Sequence, residues 1–246
     1  MSEDPFFIGW EASPERQTSS WRISLWGSLV LCVMLGLLLA GLQTNPGKGI
    51  FAFGEIHRYR GLLISDPVPF LVSKESGGHV YLLVNPLKYG FSVDLAREHH
   101  LQQVSLQGSL IDDGRNGMIE VFPGSISNEL GSGEVPRPAL SSAGTHLQLR
   151  GEIVDSKCHL GVMNPGRFKP HRACAIQCIA GGIPPMLVVQ TSNGALRHYL
   201  LVGPKGETIN QTLLEFVAEP VSIRGTYRTI AGLHLLYADP NSIERL

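Results

Sequence analysis

The chain has 246 residues, a formal net charge of −1 and a sequence pI near 6.8. Its Lys and Arg residues form no basic cluster of the kind that neutralises nucleic-acid phosphates, so we expect no nucleic-acid partner. With 28 Gly, 16 Pro and only 17% charged residues, the composition favours short strands and turns over long helices.

An apolar run near the N-terminus predicts a transmembrane helix over 23–42. The run has 20 residues and no charge, and at about 1.5 Å per residue it spans roughly 30 Å, the hydrocarbon thickness of a bilayer. Trp21 and Trp26 lie at one end, where aromatic belts occur. Residues 1–22 are expected to form a polar tail. The charges around the run do not decide its orientation, and a short tail inside with the bulk of the chain outside is the simpler arrangement.

The rest of the chain contains an internal repeat. Arg60–Ile64 recurs as Arg150–Val154 at an offset of 90, and Phe70–Val72 recurs as Met186–Val188 at an offset of 116. Two further matches are Tyr81–Val84 with Tyr199–Val202 and Val104–Gly108 with Val221–Gly225. Because the offset grows by 26, the second copy must carry an insertion of that length, which we place at 156–183.

Both copies have the element order of a small β-barrel. Alternating apolar residues and turn signals predict five strands with a helix between the third and the fourth. In copy one these are strands 56–65, 69–73, 79–85, 103–111 and 117–122 with a helix over 92–101, and the matching helix of copy two is 209–217. This order resembles the OB-fold. We therefore expect a mainly β protein with two tandem OB-like barrels, over 50–126 and 147–246, joined by a linker over 127–146.

The insertion carries three of the four cysteines. Pro170 and the pair Gly181-Gly182 bracket a predicted helix. On that helix His171, Cys174 and Cys178 have the spacing i, i+3 and i+7, which places them on one face. A turn at 164–166 would return Cys158 to the same face. The insertion lies between strands one and two of the second barrel, in a loop that borders the usual ligand face of an OB-fold.

Cys158, His171, Cys174 and Cys178 are the candidate metal ligands. Thiolates with an imidazole suit zinc, copper or an iron–sulfur cluster, and a Cys3His set would complete a tetrahedral zinc site. Two other interpretations stay open. Cys158 could form a disulfide with Cys174 or Cys178, or a cysteine could be a nucleophile with His171 as its base, although the sequence offers no evident acid to orient that histidine.

The block from Cys158 through His171, Cys174 and Cys178 to Gly181-Gly182-Ile183-Pro184-Pro185, in a β domain behind one span, resembles bacterial membrane-anchored proteins of unassigned activity. The resemblance implies an envelope setting: the inner membrane, with the bulk of the chain in the periplasm. We expect a metal- or redox-cofactor-binding accessory or electron-transfer subunit of a membrane oxidoreductase, or a metal chaperone, with membrane-protein partner subunits. We favour such a role over that of an enzyme. The alternative is a non-catalytic assembly or scaffold protein with a disulfide-stapled loop.

Overall fold

The structure, a computed structural model, describes residues 15–43, 49–74, 78–129 and 144–246. It divides into two compact units, Met1–Asn45 and Pro46–Leu246. The first contains helix α1 (Glu15–Leu42). Its segment Ser19–Leu42 has a mean hydropathy of 2.4 and is not buried by protein, so it is long and apolar enough to cross a membrane. The helix starts inside the predicted tail 1–22, of which residues 1–14 lie outside the described part.

Residues 50–128 form a closed five-stranded barrel, which we call barrel one. Its elements are β1 (Ile50–Phe51), β2 (His57–Ile64), β3 (Phe70–Ser73), β4 (Val80–Val84), α2 (Val93–Glu98), β5 (Gln103–Asp112), β6 (Gly117–Val121) and β7 (Ser127–Asn128). Strands pair in the order β2–β3–β4–β6–β5, and β5 closes the ring on β2. Only the pair β4–β6 is parallel within this ring. The short strands β1 and β7 both pair with β5.

Residues 145–246 form barrel two with the same topology. Its elements are β8 (Thr145–Asp155), α3 (Arg172–Ala180), β9 (Pro185–Gln190), β10 (Leu196–Val202), α4 (Asn210–Leu213), β11 (Pro220–Ile230), β12 (Leu233–Ala238) and β13 (Glu244–Arg245). The ring β8–β9–β10–β12–β11 closes on β8, and its parallel pair is β10–β12. The prediction of two OB-like barrels is therefore confirmed. Of the predicted linker, residues 130–143 lie outside the described residues.

The repeat extends to the register of the strands. Gly61 is opposite Val104 in barrel one, and the matching Gly151 is opposite Val221 in barrel two. A Cβ atom on Gly61 would collide with the carbonyl oxygen of Val72, and one on Gly151 with that of Val188. The Arg-Gly pair that opens each copy thus marks a close backbone approach that needs a residue without a side chain.

Three hydrophobic cores hold the second unit together. One fills barrel one and contains Leu63, Leu71 and Leu83, and another fills barrel two. The third lies between the barrels and is built from side chains of both, listed here in part: Leu62, Ile64, Phe70, Leu82, Met118, Val154, Leu160, Met186, Leu200 and Leu235. The outward faces of several strands are therefore buried against the other barrel.

This inter-barrel core explains the apolar runs of the repeat. All four residues of β3 and the last four of β4 and β10 are buried. A strand with one face in solvent would alternate, whereas a strand that is buried on both faces reads as a continuous apolar run. The matched segments Tyr81–Val84 and Tyr199–Val202 are such runs, so their sequence carried a signal for side-by-side packing.

A polar network at one edge of the interface joins barrel one, barrel two and the insertion. The Nε2 atoms of His159 and His198 lie 3.1 Å apart. On its other side, Nδ1 of His198 lies 2.9 Å from Nδ2 of Asn116 and 3.6 Å from a carboxylate oxygen of Asp113, both in the β5–β6 turn. Burial lowers the pKa of His159 to about 4 and also lowers the pKa of His198. The two rings are therefore neutral at pH 7.

We expect acid to destabilise the folded, metal-free protein because these two histidines are neutral in the folded state. Between about pH 6.5 and pH 4 the unfolded chain binds protons that the folded chain does not, so the free energy of unfolding falls as pH falls. For His159 alone the effect reaches roughly 3 kcal/mol at about 1.4 kcal/mol per pH unit. Denaturant titrations at several pH values across this range give the free energy of unfolding. It should change less per pH unit in His159→Gln than in the exposed control His57→Gln. An unchanged pH dependence in His159→Gln would contradict the assignment.

Candidate metal centre

The insertion lies between the end of strand β8 at Asp155 and the start of strand β9 at Pro185. It consists of a π-helical turn (Cys158–Val162), a 3-10 turn (Lys169–His171) and helix α3. The chain reverses between the first two through a cis peptide bond at Asn164-Pro165. The predicted helix with Pro170 at its start and Gly181 at its end is confirmed.

Helix α3 is buried on two sides. Ala175 and Ile179, four residues apart, pack in the core of barrel two. Cys174 and Cys178 have the same spacing and face the inter-barrel core. Since residues four apart lie one above the other on a helix, each pair forms a stripe. The helix therefore directs two sulfurs into the interface between the barrels.

Polar contacts fix helix α3 to barrel two at both ends. Near its start, Lys169 and Arg172 form ion pairs with Glu219. Near its end, the side-chain amide of Asn210 donates hydrogen bonds to the carbonyl oxygens of Ile179 (2.8 Å) and Ile183 (3.1 Å). These bonds satisfy carbonyls that have no partner within the helix. The cysteines are thus held on a rigid element.

The candidate ligands converge on Cys158. Its sulfur forms one group with His171 and Cys174 and another with Asp155 and Cys178, and in each group all ligand atoms lie within 4.8 Å of one another. In a tetrahedral zinc site with bonds of about 2.3 Å to sulfur, neighbouring sulfurs are about 3.8 Å apart. Each of these two groups is therefore compact enough to hold a metal ion. All three thiols are free.

Asp155 is the buried acid that orients the histidine. One carboxylate oxygen lies 2.9 Å from Nε2 of His171, and the other accepts a 2.7 Å hydrogen bond from the backbone N–H of Cys158. Histidines that bind metals commonly donate their second ring N–H to a carboxylate in this way. With Nε2 engaged by Asp155, an ion bound by His171 would use Nδ1. Asp155 was not among the residues predicted from the sequence.

A hydrogen bond between two thiol groups sets their protonation. It raises the pKa of Cys158, which is buried beside Asp155, and lowers the pKa of Cys178. Barrel one adds a cation: Lys88 donates a 3.2 Å hydrogen bond from Nζ to the sulfur of Cys174, and this bond raises the pKa of Lys88.

Barrel one also clamps the insertion. Lys157 is buried, pairs with Glu120 of β6, and donates to the carbonyl oxygens of Asn85 (3.0 Å) and Leu87 (2.8 Å). The backbone N–H of Gly90 donates to the carbonyl oxygen of Gly181 at 2.9 Å. A Cβ atom on Gly90 would collide with Gly182, so the glycines of both partners permit this approach.

A cavity of about 680 Å³ opens beside the sulfurs. All three thiols of the insertion line it, and barrel one supplies Leu87, Lys88 and Tyr89 to its wall. Cys158 and Cys178 are 4% and 2% exposed, whereas Cys174 is only partly buried. The cysteine site is thus reachable from one side, through an apolar opening where Leu87 and Tyr89 are exposed.

Comparisons with protein-family models, with curated proteins and with solved structures find no match. The chemistry of the site therefore follows from its own residues. The structure brings Cys158, His171, Cys174 and Cys178 together and adds Asp155 and Lys88. An acid followed three residues later by a Cys was the available signal for Asp155. Lys88 lies in the other copy, where no local pattern points to it.

Brief treatment of the reduced, metal-free protein with iodoacetamide should label Cys174 before Cys158 and Cys178. The two buried thiols react only when the structure opens locally, whereas Cys174 already faces the cavity. Peptide mass spectrometry at short times measures the order. In denaturant the three cysteines should react alike. Earlier labelling of Cys158 or Cys178 would show that the site is open from another side.

Proposed function

We propose that this protein is a membrane-anchored accessory protein that binds one soft metal ion, zinc or copper(I), through Cys158, His171, Cys174 and Cys178. The observation that carries the proposal is the close placement of these side chains in two groups that share Cys158. In addition, a carboxylate engages His171, as is common for histidines that bind metals. Asp155 has both oxygens engaged, which favours an orienting role over direct binding.

The donor set favours a soft ion. Thiolates and imidazole suit zinc and copper(I), whereas magnesium and calcium prefer oxygen ligands. The two ligand groups share Cys158, and within each the ligand atoms lie within 4.8 Å of one another, which favours a single ion over a cluster. Three thiolates leave a bound zinc ion with a net negative charge, and Lys88 beside Cys174 offsets it. We therefore rank zinc and copper(I) above an iron–sulfur cluster.

The cavity favours a site that exchanges its ion. Structural zinc sites are closed, with four protein ligands and no open side. Here all three sulfurs border a cavity that barrel one helps to form. An open route to buried thiolates suits an ion that is delivered to, or received from, another molecule. This supports a metal chaperone or an accessory subunit more than a purely structural site.

Helix α1 supplies the membrane setting of the proposal. A single anchor raises the effective concentration of the barrels near a membrane-bound partner. We place the barrels on the periplasmic side of a bacterial inner membrane and take a membrane oxidoreductase as the partner. Three reduced thiols in that oxidising compartment need protection, and a bound metal ion provides it.

The full chain, purified in detergent under reducing conditions and offered zinc and copper(I), should bind about one ion per chain, as a four-ligand site requires. Cys158→Ser should remove binding, because Cys158 belongs to both ligand groups. Cys32→Ser, in helix α1, is the matched control and should leave the stoichiometry unchanged. Elemental analysis after gel filtration measures the result.

Intact-mass analysis after alkylation separates the rival functions. A scaffold with a stapled loop would show one bridge from Cys158 to Cys174 or Cys178, one free thiol besides Cys32 and no metal. A thiol catalyst, which the pair Asp155–His171 also suits, would show three free thiols besides Cys32 and no metal after zinc and copper(I) are offered. Either outcome would overturn the proposed metal site.

Asp155→Asn should weaken metal binding by roughly 10–100-fold, the usual effect of removing the carboxylate behind a metal-binding histidine. The amide keeps the shape but cannot accept both existing hydrogen bonds with the same strength. Competition with a chromophoric chelator gives the affinity, and the exposed Asp94→Asn is the control. An affinity equal to that of the unmodified protein would mean that Asp155 does not orient His171.

A further inference from the structure

A second cavity, of about 640 Å³, lies where the β5–β6 turn of barrel one meets barrel two. Arg115 and Asn116 reach it from the turn. Barrel two contributes the other lining residues, from strands β8, β10, β11 and β12 and from the turn before β12. The cavity shares no lining residue with the one beside the cysteines. Its volume is in the range of small-molecule sites, about 300–1,000 Å³.

The cavity is cationic. Arg115 and Arg197 both line it, and no acidic residue does. Among the described residues neither arginine forms an ion pair with a carboxylate. The nearby Asp113 does not line the cavity, although one of its carboxylate oxygens lies 3.6 Å from Nδ1 of His198. It accepts hydrogen bonds from the backbone N–H groups of Arg115 and Asn116 and from the Asn116 amide, and it forms no ion pair with either arginine. Both guanidinium groups are therefore available to an anion.

One wall of the cavity is made of rings. Tyr227 and His234 stack with centroids 5.8 Å apart and an interplanar angle of 25°. Tyr199 stands nearly perpendicular to Tyr227, with centroids 5.8 Å apart and an angle of 80°. The hydroxyl of Tyr227 lies 2.7 Å from Nδ1 of His234 and fixes the two rings to each other. This wall is flat, rigid and partly apolar.

The histidines of the cavity act as neutral hydrogen-bonding groups. Burial lowers the pKa of His198 and that of His234, and the charges of Arg115 and Arg197 add to the effect on His198 and His234 respectively. The hydrogen bond between the side-chain amide of Asn116 and Nδ1 of His198 fixes the β5–β6 turn of barrel one beside the cavity. The positive charge thus resides on the two arginines.

We propose that this cavity binds a small organic anion that carries a planar ring. The anionic group lies between Arg115 and Arg197, where charge-assisted hydrogen bonds are strongest, and the ring lies against Tyr227 and His234. Because one arginine comes from each barrel, the ligand contacts both and bridges them. The site is independent of the proposed metal centre, so either one can fail without the other.

Isothermal titration of the full chain in detergent with three probes tests the site. Phenyl phosphate carries both a ring and an anion, inorganic phosphate only the anion, and benzyl alcohol only the ring. Phenyl phosphate should bind at least about tenfold more tightly than either of the others, because it makes both kinds of contact. No saturable binding of phenyl phosphate would overturn the proposal.

The double variant Arg115→Gln/Arg197→Gln should weaken phenyl phosphate binding by about tenfold or more, since each charge-assisted bond is lost. Arg224→Gln, an exposed arginine that lines neither cavity, is the matched control and should bind like the unmodified protein. Equal binding in the double variant and the control would place the probe elsewhere and overturn the site. Circular dichroism of each variant confirms that the barrels remain folded.

Discussion

Burial of the strands on both faces is the constraint on which the rest of the structure depends. Each barrel fills its interior with its own side chains, and the outward side chains of β3, β4, β9 and β10 form the third core between the barrels. Burial of apolar surface stabilises a fold by about 25 cal/mol per Å². The third core therefore stabilises the packing of the two barrels as a domain interior does, since separation of the barrels would expose it to water. The two barrels therefore form one compact unit, Pro46–Leu246.

The cysteine site is a product of that packing. Helix α3 presents Ala175 and Ile179 to one core and Cys174 and Cys178 to another, so one short helix both completes barrel two and supplies two of the sulfurs. Barrel one, which has no cysteine of its own, closes the site with Lys88 and with the carbonyl oxygens that receive Lys157. Duplication thus supplied a second surface as well as a second barrel.

The sequence sufficed for the barrels and for the helical insertion that carries the candidate ligands, because these depend on local patterns: matched strands, turn residues and the spacing of His171, Cys174 and Cys178. It did not reveal contacts between distant segments. Lys88 meets Cys174 across 86 positions, and an isolated Lys in a loop has no local signature. Asp155 ends a strand, where an acid usually belongs to a turn. The continuous apolar runs did carry information about the inter-barrel core, since they break the alternation of a half-exposed strand.

Residues of barrel one and of the insertion together line the cysteine cavity, so access to it depends on their relative position. The sulfurs sit on the insertion of barrel two, while Leu87, Lys88 and Tyr89 of the opposite wall move with barrel one. The width of the entrance therefore depends on how barrel one sits against the insertion, which the inter-barrel core and the contacts of Lys157 and Gly90 determine together. A ligand that tightened or loosened the interface between the barrels would therefore change access to the sulfurs without touching them.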